Sequence, residues 1–414
     1  MIVLNSRSLL KVFIIAAQLS LGILVVLSED AQPSRITGFH DRNDHIRARD
    51  LGIPFDGKPG QWNAITDVPG VQVGFSSIIE GEGNLDVGRG PVRTGVTAIL
   101  PTGHEFRKVF AAVSSLNGNG ELTGAHWIAE SGFLEEPVLW TNTHSVGRVA
   151  EASIQWRQER LFHEGNRPYD FASLPVVGET WDGRLNDIHG FHVKKKHVFE
   201  ALDRAASGSL SEGNVGGGTG MVCFRFKGGT GTSSRLVDGG FTLGVIVQAN
   251  FGLREDFKVA GVPVGRELTD LMPEMNGILP VAEGNSILVF VATDAPMLPF
   301  QLERLTRRIP LGIQRTGGMG YNSSGDLFMA VSTAPVVEDT TGTAHIRMIG
   351  NDRMDDFFRA VVQATEEAIL NALIAARTMT GINNNTIHAL PHDRLIGILR
   401  KFNRHSPGAQ IPPP

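Results

Sequence analysis

Three stretches of this chain are apolar almost without interruption: Phe241–Ala249, Ser286–Ala292 and Leu327–Ser332. A strand with one face in water alternates apolar and polar residues, so a run without alternation is covered on both faces. Several such strands force a layered fold, because apolar material must lie above and below the sheet. Shorter runs broken by Gly and Pro add strands at Val71–Phe75, Thr94–Leu100, Leu174–Val177 and Gly220–Phe226. The 49 glycines supply the tight turns and close backbone approaches that such a chain needs.

Two helices stand out. Leu298, Leu302, Leu305 and Ile309 recur at helical spacing just past Pro296. A second helix is expected from Met354 to Thr380, ending before Gly381. Its Phe357, Phe358, Val361, Val362, Ile369, Leu370, Leu373 and Ile374 cover more than one stripe, which places it between layers or at a subunit contact. Strand-rich and helix-rich stretches interleave without a regular βαβ rhythm. The expectation is an α+β fold, a four-layer αββα sandwich with two sheets inside and helices outside.

The ends read differently from the middle. Arg7 and Lys11 precede the apolar run Val12–Leu27, and Val26 and Ser28 sit where a signal peptidase cuts. Residues 1–28 are therefore expected to be an export signal, making the protein secreted or periplasmic. Residues 29–62 read as a solvated amino-terminal arm, 63–400 as one domain and 401–414 as a disordered Pro-rich tail. In the arm, His40, Asp41, Asp44 and His45 lack a metal-ligand spacing. Cys223 is the one cysteine and reads as an inert core thiol, so no internal disulfide forms. A net charge of −5 gives no electrostatic reason to bind nucleic acid.

The chemistry is carried by short clusters, each of which is also an ordinary structural feature. Gly284-Asn285-Ser286 opens a buried strand. It also suits peptide scission: the Ser286 hydroxyl attacks the Asn285 carbonyl, and water releases the resulting ester. The exposed α-amine would titrate near about pH 8 and serve as base beside its own hydroxyl. In Ser324-Gly325-Asp326 the two polar side chains point to one face of an extended segment, which suits either a turn or a pair assisting a nucleophile. Asn250 ends the Phe241–Ala249 strand and either closes a turn or donates to an oxyanion. Glu179, in Gly178-Glu179-Thr180-Trp181-Asp182-Gly183, either belongs to an acidic turn or grips a substrate amine. The glycine runs Gly216–Gly220 and Gly228–Thr232 lack the lysine of a P-loop, and there is no G-x-S-x-G elbow and no H-E-x-x-H.

These clusters fall in an order that resembles the DmpA-type L-aminopeptidase/D-esterases and β-peptidyl aminopeptidases. The likeness extends from Asn63-Ala64-Ile65-Thr66-Asp67-Val68-Pro69-Gly70-Val71 to the Met354–Thr380 helix. It is strongest in Val92-Arg93-Thr94-Gly95-Val96-Thr97, in Asn117-Gly118-Asn119-Gly120-Glu121-Leu122-Thr123-Gly124 and from Ser286 to Pro299. The resemblance implies a precursor cut at Asn285–Ser286, Ser286 as nucleophile, Ser324 and Asp326 as its helpers, Asn250 as oxyanion donor and Glu179 as receptor for the substrate's amine. It implies a tetramer of processed pairs acting on small peptides or amino-acid amides and esters, with no metal or cofactor. One departure is Trp181, where the family often has a tyrosine; an indole donates but cannot accept or pass a proton. Two other readings compete: an acyltransferase of the ornithine acetyltransferase type, which generally begins its second chain with threonine, and a non-catalytic secreted binding module. Asn384-Asn385-Thr386 would accept a glycan in a eukaryotic host.

Overall fold

The computed structural model describes residues 46–105, 107–163, 174–276, 285–338 and 340–406. The expected export signal, the four arm residues weighed as metal ligands and most of the Pro-rich tail lie outside them. Strands β1 (Gln72–Glu80), β2 (Val92–Leu100) and β3 (Val109–Gly118) precede helix α1 (Ala125–Ser131). Next come β4 (Phe133–Leu134), β5 (Val138–Asn142), α2 (Val146–His163), β6 (Val176–Thr180) and α3 (Lys195–Asp203). A hairpin of β7 (Val222–Cys223) and β8 (Phe226–Lys227) leads to the long β9 (Gly229–Val237) and β10 (Phe241–Asn250). After α4 (Val264–Glu267) follow β11 (Asn285–Thr293), α5 (Pro299–Thr306), α6 (Ile309–Arg315) and β12 (Ser324–Ser332). Helices α7 (Met354–Ala375) and α8 (His392–Lys401) close the chain.

Two sheets form, one in the order β1-β2-β5-β6 and one in the order β4-β3-β12-β11-β10-β9. Alternation along the uninterrupted apolar strands sends side chains to two different cores. Ile246, Leu288, Phe290 and Met329 point between the sheets, where they meet Val73, Ile99, Trp140 and Val176 of the first sheet. Val245, Val247, Val289, Val291 and Phe328 point the other way, onto Leu302, Leu305, Phe357, Val361 and Ile369 of the helices. On the far side, Val96, Leu139 and Val177 pack under Val149, Trp156, Val198 and Leu202 of α2 and α3. Helices, sheet, sheet, helices: the layering is the expected αββα sandwich.

Local boundaries differ from the sequence expectation for identifiable reasons. The second long helix stops at Ala375, not Thr380, because the segment beyond it is taken by other partners. Arg377 exchanges hydrogen bonds with the Asn214 side chain, and Met379–Thr380 pairs with Thr386–Ile387. The helix expected near Leu298 to Ile309 is two helices, α5 and α6, broken between Thr306 and Ile309. Gly220–Phe226 is no single strand: Phe224 and Arg225 take positive φ and fold it into the β7–β8 hairpin. The strand expected at Leu174–Val177 begins and ends later, as β6. Cys223 is fully buried in the hairpin and burial pushes its thiol pKa up, so it is the inert thiol expected.

Residues 46–62 are not a solvated arm. Ala48, Leu51 and Ile53 are buried, and Arg47 bonds Glu212 and the main-chain carbonyls of Asn63 and Thr232. Arg49 makes a bidentate pair of 2.8 Å bonds to Glu367 in the middle of α7. Arg235 completes this knot at 2.7 Å, with its side chain 1% exposed and that of Glu367 0%. Burial works to raise the Glu367 pKa, but the Arg49 bonds and the Arg235 charge outweigh it, and the net shift is downward. Removing one member of a buried pair strands the other, at about 3–5 kcal/mol. Glu367→Gln is therefore expected to lose about that much stability at pH 7, read as a lower melting temperature. A depressed carboxyl stabilises above its unfolded pKa and stops doing so as pH falls through the folded value. The gap between wild type and Glu367→Gln should accordingly close in acid; a gap constant with pH would refute the charge argument.

Candidate active site

Strand pairing brings most of the candidate residues together. Ser286 is the second residue of β11, antiparallel to β10 on one side and parallel to β12 on the other. The registers set Ser286 opposite Asn250 across the first ladder and opposite Gly325 across the second. Directly opposed residues of an antiparallel pair share a face, with Cβ atoms about 4.5–5.5 Å apart. That face looks towards the first sheet: Gln248, two residues before Asn250, donates to the Thr141 carbonyl and to the Thr180 hydroxyl. The Ser286 hydroxyl oxygen accepts the Gly325 N–H at 3.2 Å, and Ser286 is 5% exposed.

Gly325 has to be a glycine. A Cβ there would lie 2.3 Å from the Asn119 carbonyl oxygen, because the Asn119-Gly120 backbone crosses directly over β12. Asn119 ties that crossing down by donating to the Ser323 carbonyl at 2.8 Å. On either side of Gly325, the Ser324 hydroxyl donates to Asp326 Oδ1 at 2.5 Å, which their shared face in an extended segment allows. Asn117 Nδ2 donates to Asp326 Oδ2 at 3.1 Å. Burial raises the Asp326 pKa, and the Ser324 and Asn117 hydrogen bonds oppose it.

Asn250 is fully buried and held at both ends of its amide. Its Oδ1 accepts the Val222 N–H at 2.8 Å, and its Nδ2 donates to the Trp181 carbonyl at 3.0 Å. Trp181 thus enters the site through its main chain. Its indole packs on its own turn, where a Cβ at Gly183 would meet the ring at 2.5 Å, and the Arg184 guanidinium lies 5.5 Å from the ring centre.

Glu179 comes from β6 in the other sheet. Its Oε1 accepts the Glu121 N–H at 3.0 Å and its Oε2 accepts the Thr143 hydroxyl. A Cβ at Gly120 would sit 3.2 Å from Glu179 Oε1 and 3.4 Å from Gly325 Cα, so one glycine separates this carboxylate from β12 at Gly325, the residue paired with Ser286. Glu179 is 4% exposed, and burial raises its pKa against the Thr143 and Glu121 N–H bonds. The charge acting on it is that of Glu121, another carboxylate. A carboxylate buried without a cation is a strong binder of an incoming ammonium group.

Asn117, Gly120, Thr143 and the Gly325 N–H were not singled out from the sequence. The Asn117–Gly124 segment was noted for its pattern, but an Asn-Gly repeat reads as a turn until the fold lays it across β12. Asn285 begins β11 opposite Ser324, which fixes the backbone position of the expected cleavage bond within the ladder.

The sequence model of Peptidase family S58 matches residues 63–387. Beta-peptidyl aminopeptidase BapA of Sphingosinicella microcystinivorans is 51% identical over 373 residues, 86% of this chain and 93% of that protein. Its namesake from Sphingosinicella xenopeptidilytica is 46% identical, over 86% and 91% of the two chains. Among solved structures, the L-aminopeptidase D-Ala-esterase/amidase of Ochrobactrum anthropi superposes with a TM-score of 0.80 at 46% identity, covering 87% of this chain and 99% of that one. It is described as a prototype for the serine aminopeptidases and a new variant among the Ntn hydrolase fold. These likenesses favour neither the acyltransferase nor the binding-module reading. The chain belongs to peptidase family S58 and is a serine aminopeptidase.

Proposed function

We propose that the precursor cuts its own Asn285–Ser286 bond, and that Ser286 then releases amino-terminal residues from small peptides, amides and esters. In the first step Ser286 Oγ bonds to the Asn285 carbonyl carbon and the Ser286 nitrogen leaves as an amine. Water then cleaves the ester, giving an Asn285 carboxylate and a Ser286 with a free amine and hydroxyl. In turnover the amine takes the hydroxyl proton as Oγ attacks the substrate carbonyl and hands it to the leaving group; it then takes a proton from the water that cleaves the Ser286 ester and returns it to Oγ, freeing the amino-terminal residue. Ser324 and Asp326 orient and tune that amine. Asn250 donates to the oxyanion through Nδ2.

One observation carries the aminopeptidase direction of the site: the buried carboxylate of Glu179, with no cation bonded to it among the described residues, one glycine away from Gly325, the residue paired with Ser286. The substrate's α- or β-ammonium completes it, which selects for a free amino end. Likeness to two β-peptidyl aminopeptidases at 51% and 46% identity supports β-amino acyl residues as a substrate class. The reading also has the protein exported through residues 1–28 and assembled as a tetramer of processed pairs, which sequencing of the larger chain and light scattering would check.

Glu179→Gln tests the recognition step. Loss of one partner of a buried charge pair costs about 2 kcal/mol or more, so KM for a β-aminoacyl p-nitroanilide should rise roughly thirtyfold at pH 7. The sign with pH follows from the raised pKa. As pH falls, wild-type Glu179 takes its proton above the usual glutamate range and KM climbs; in Glu179→Gln that acid limb disappears. A variant with wild-type KM and an unchanged acid limb would sink the assignment.

A further inference from the structure

A lysine is buried behind the oxyanion amide, and the chemistry above leaves it unused. Lys227 in β8 is 0% exposed. Among the described residues its ammonium nitrogen donates to main-chain carbonyls alone, those of Met221 at 2.8 Å, Gly228 at 2.9 Å and Gly218 at 3.4 Å. Three acceptors match three N–H groups, which is the protonated form; a neutral amine would set its lone pair against a carbonyl. A cation at such depth, with no carboxylate bonded to it among the described residues, is expensive to maintain, and an apolar side chain would fill the same space at less cost.

The Met221 carbonyl is what links this cation to the site. Met221 C=O and Val222 N–H belong to one planar peptide group. Lys227 pulls on its oxygen at 2.8 Å, and its N–H donates to Asn250 Oδ1 at 2.8 Å. Polarising the peptide strengthens that N–H as a donor; drawing electron density from Asn250 Oδ1 then makes its Nδ2 hydrogens more acidic. The relay runs ammonium, peptide, side-chain amide, and it ends at the group proposed to meet the oxyanion. The opposite side of Asn250 is fixed by the Trp181 carbonyl, so the amide cannot turn away from the pull.

We infer that Lys227 is a positioning residue for catalysis: its charge, passed through the Met221–Val222 peptide, orients and polarises Asn250 so that Nδ2 meets the transition state as a stronger donor. The inference rests on Asn250 being the oxyanion donor. Asp182 and Cys223 are the titratable groups that act on Lys227, and both are fully buried. Burial pulls the amine down to about 7 and pushes the Asp182 carboxyl up to about 7, so neither charge is held by a simple ion pair with solvent relief.

The test compares Lys227→Met and Lys227→Gln with the processed wild type on a β-aminoacyl p-nitroanilide. Loss of the charge should lower kcat about tenfold and leave KM within twofold. Infrared difference spectra of the acyl-enzyme carrying a 13C-labelled carbonyl should show that band at higher frequency, since a weaker donor polarises it less. In an Asn250→Ala background, Lys227→Met should cost nothing further. An unchanged kcat, an unmoved carbonyl band, or a full tenfold loss in the Asn250→Ala background would each overturn the relay. Asn250→Ala alone separates the two layers: if it is silent, the oxyanion reading itself fails, whereas a damaged Asn250→Ala with a silent Lys227→Met fails only the relay. Should neither lysine variant fold, nitrogen-15 lysine spectra of the wild type decide. An ammonium resonance from Lys227 at the assay pH is required, and a neutral amine overturns the inference.

Discussion

Ser286→Ala is expected to remain one polypeptide through purification and to hydrolyse no aminoacyl p-nitroanilide, a loss of at least about 10⁴-fold. Both effects come from a single oxygen atom. Without Oγ nothing attacks the Asn285 carbonyl, so no ester forms, no chain ends at Asn285 and no amine is released on residue 286. The wild type should instead give two chains, the smaller beginning with Ser286 on amino-terminal sequencing. The fold would tolerate such a cut because Ser286–Thr293 is paired to β10 on one side and β12 on the other, and the break would fall at the start of this ladder. Breaking one peptide bond there removes no interstrand pairing from the remainder of β11. The variant should melt no lower than the wild type. An uncut wild type that still turns over substrate would overturn the mechanism, and a cut Ser286→Ala would move the scission to another nucleophile.

Asn250→Asp carries the second large effect. The carboxylate keeps the size of the amide and still accepts the Val222 N–H, but its second oxygen faces the Trp181 carbonyl in place of the lost donor, so some stability is lost as well. It has no N–H for the oxyanion, and its charge repels the one that develops in the transition state. Removing one oxyanion donor costs about 10²–10³ in kcat. The charge adds to that, and kcat is expected to drop by about 10³ or more with KM within roughly threefold. Self-processing passes through the same kind of tetrahedral intermediate, so the precursor should persist for far longer. A kcat within tenfold of wild type would exclude Asn250 as the donor. Asn250→Ala leaves both the Val222 N–H and the Trp181 carbonyl without this partner, so a melting curve is read beside the rate for both variants.

How much of this was legible beforehand varied from residue to residue. For Ser324 and Asp326 strand alternation put both side chains on one face, which left a turn equally open; the 2.5 Å bond between them is seen only in the structure. Asn250 was legible as a strand end, yet its partner was not. The antiparallel register that sets it opposite Ser286 joins two strands 34 residues apart in the chain, a separation that says nothing about register. Trp181 was read as a side-chain question, whereas its contribution lies in the main-chain carbonyl held by Asn250. Residues 46–62 misled through composition: Arg47 and Arg49 look solvated until Glu212 and Glu367 are folded against them.

Local pattern decided the layers. Uninterrupted apolar strands have to be sandwiched, an all-round apolar helix has to be buried, and these demands hold whatever the partners are. Which residues meet across the layers was settled only when the chain closed. The Asn119-Gly120 crossing over Gly325, the lone carboxylate of Glu179 and the lysine behind Asn250 each join segments far apart in the chain. Periodicity reports which face of an element is apolar. The energies that make a site come from distances between elements, and those exist only in the folded molecule.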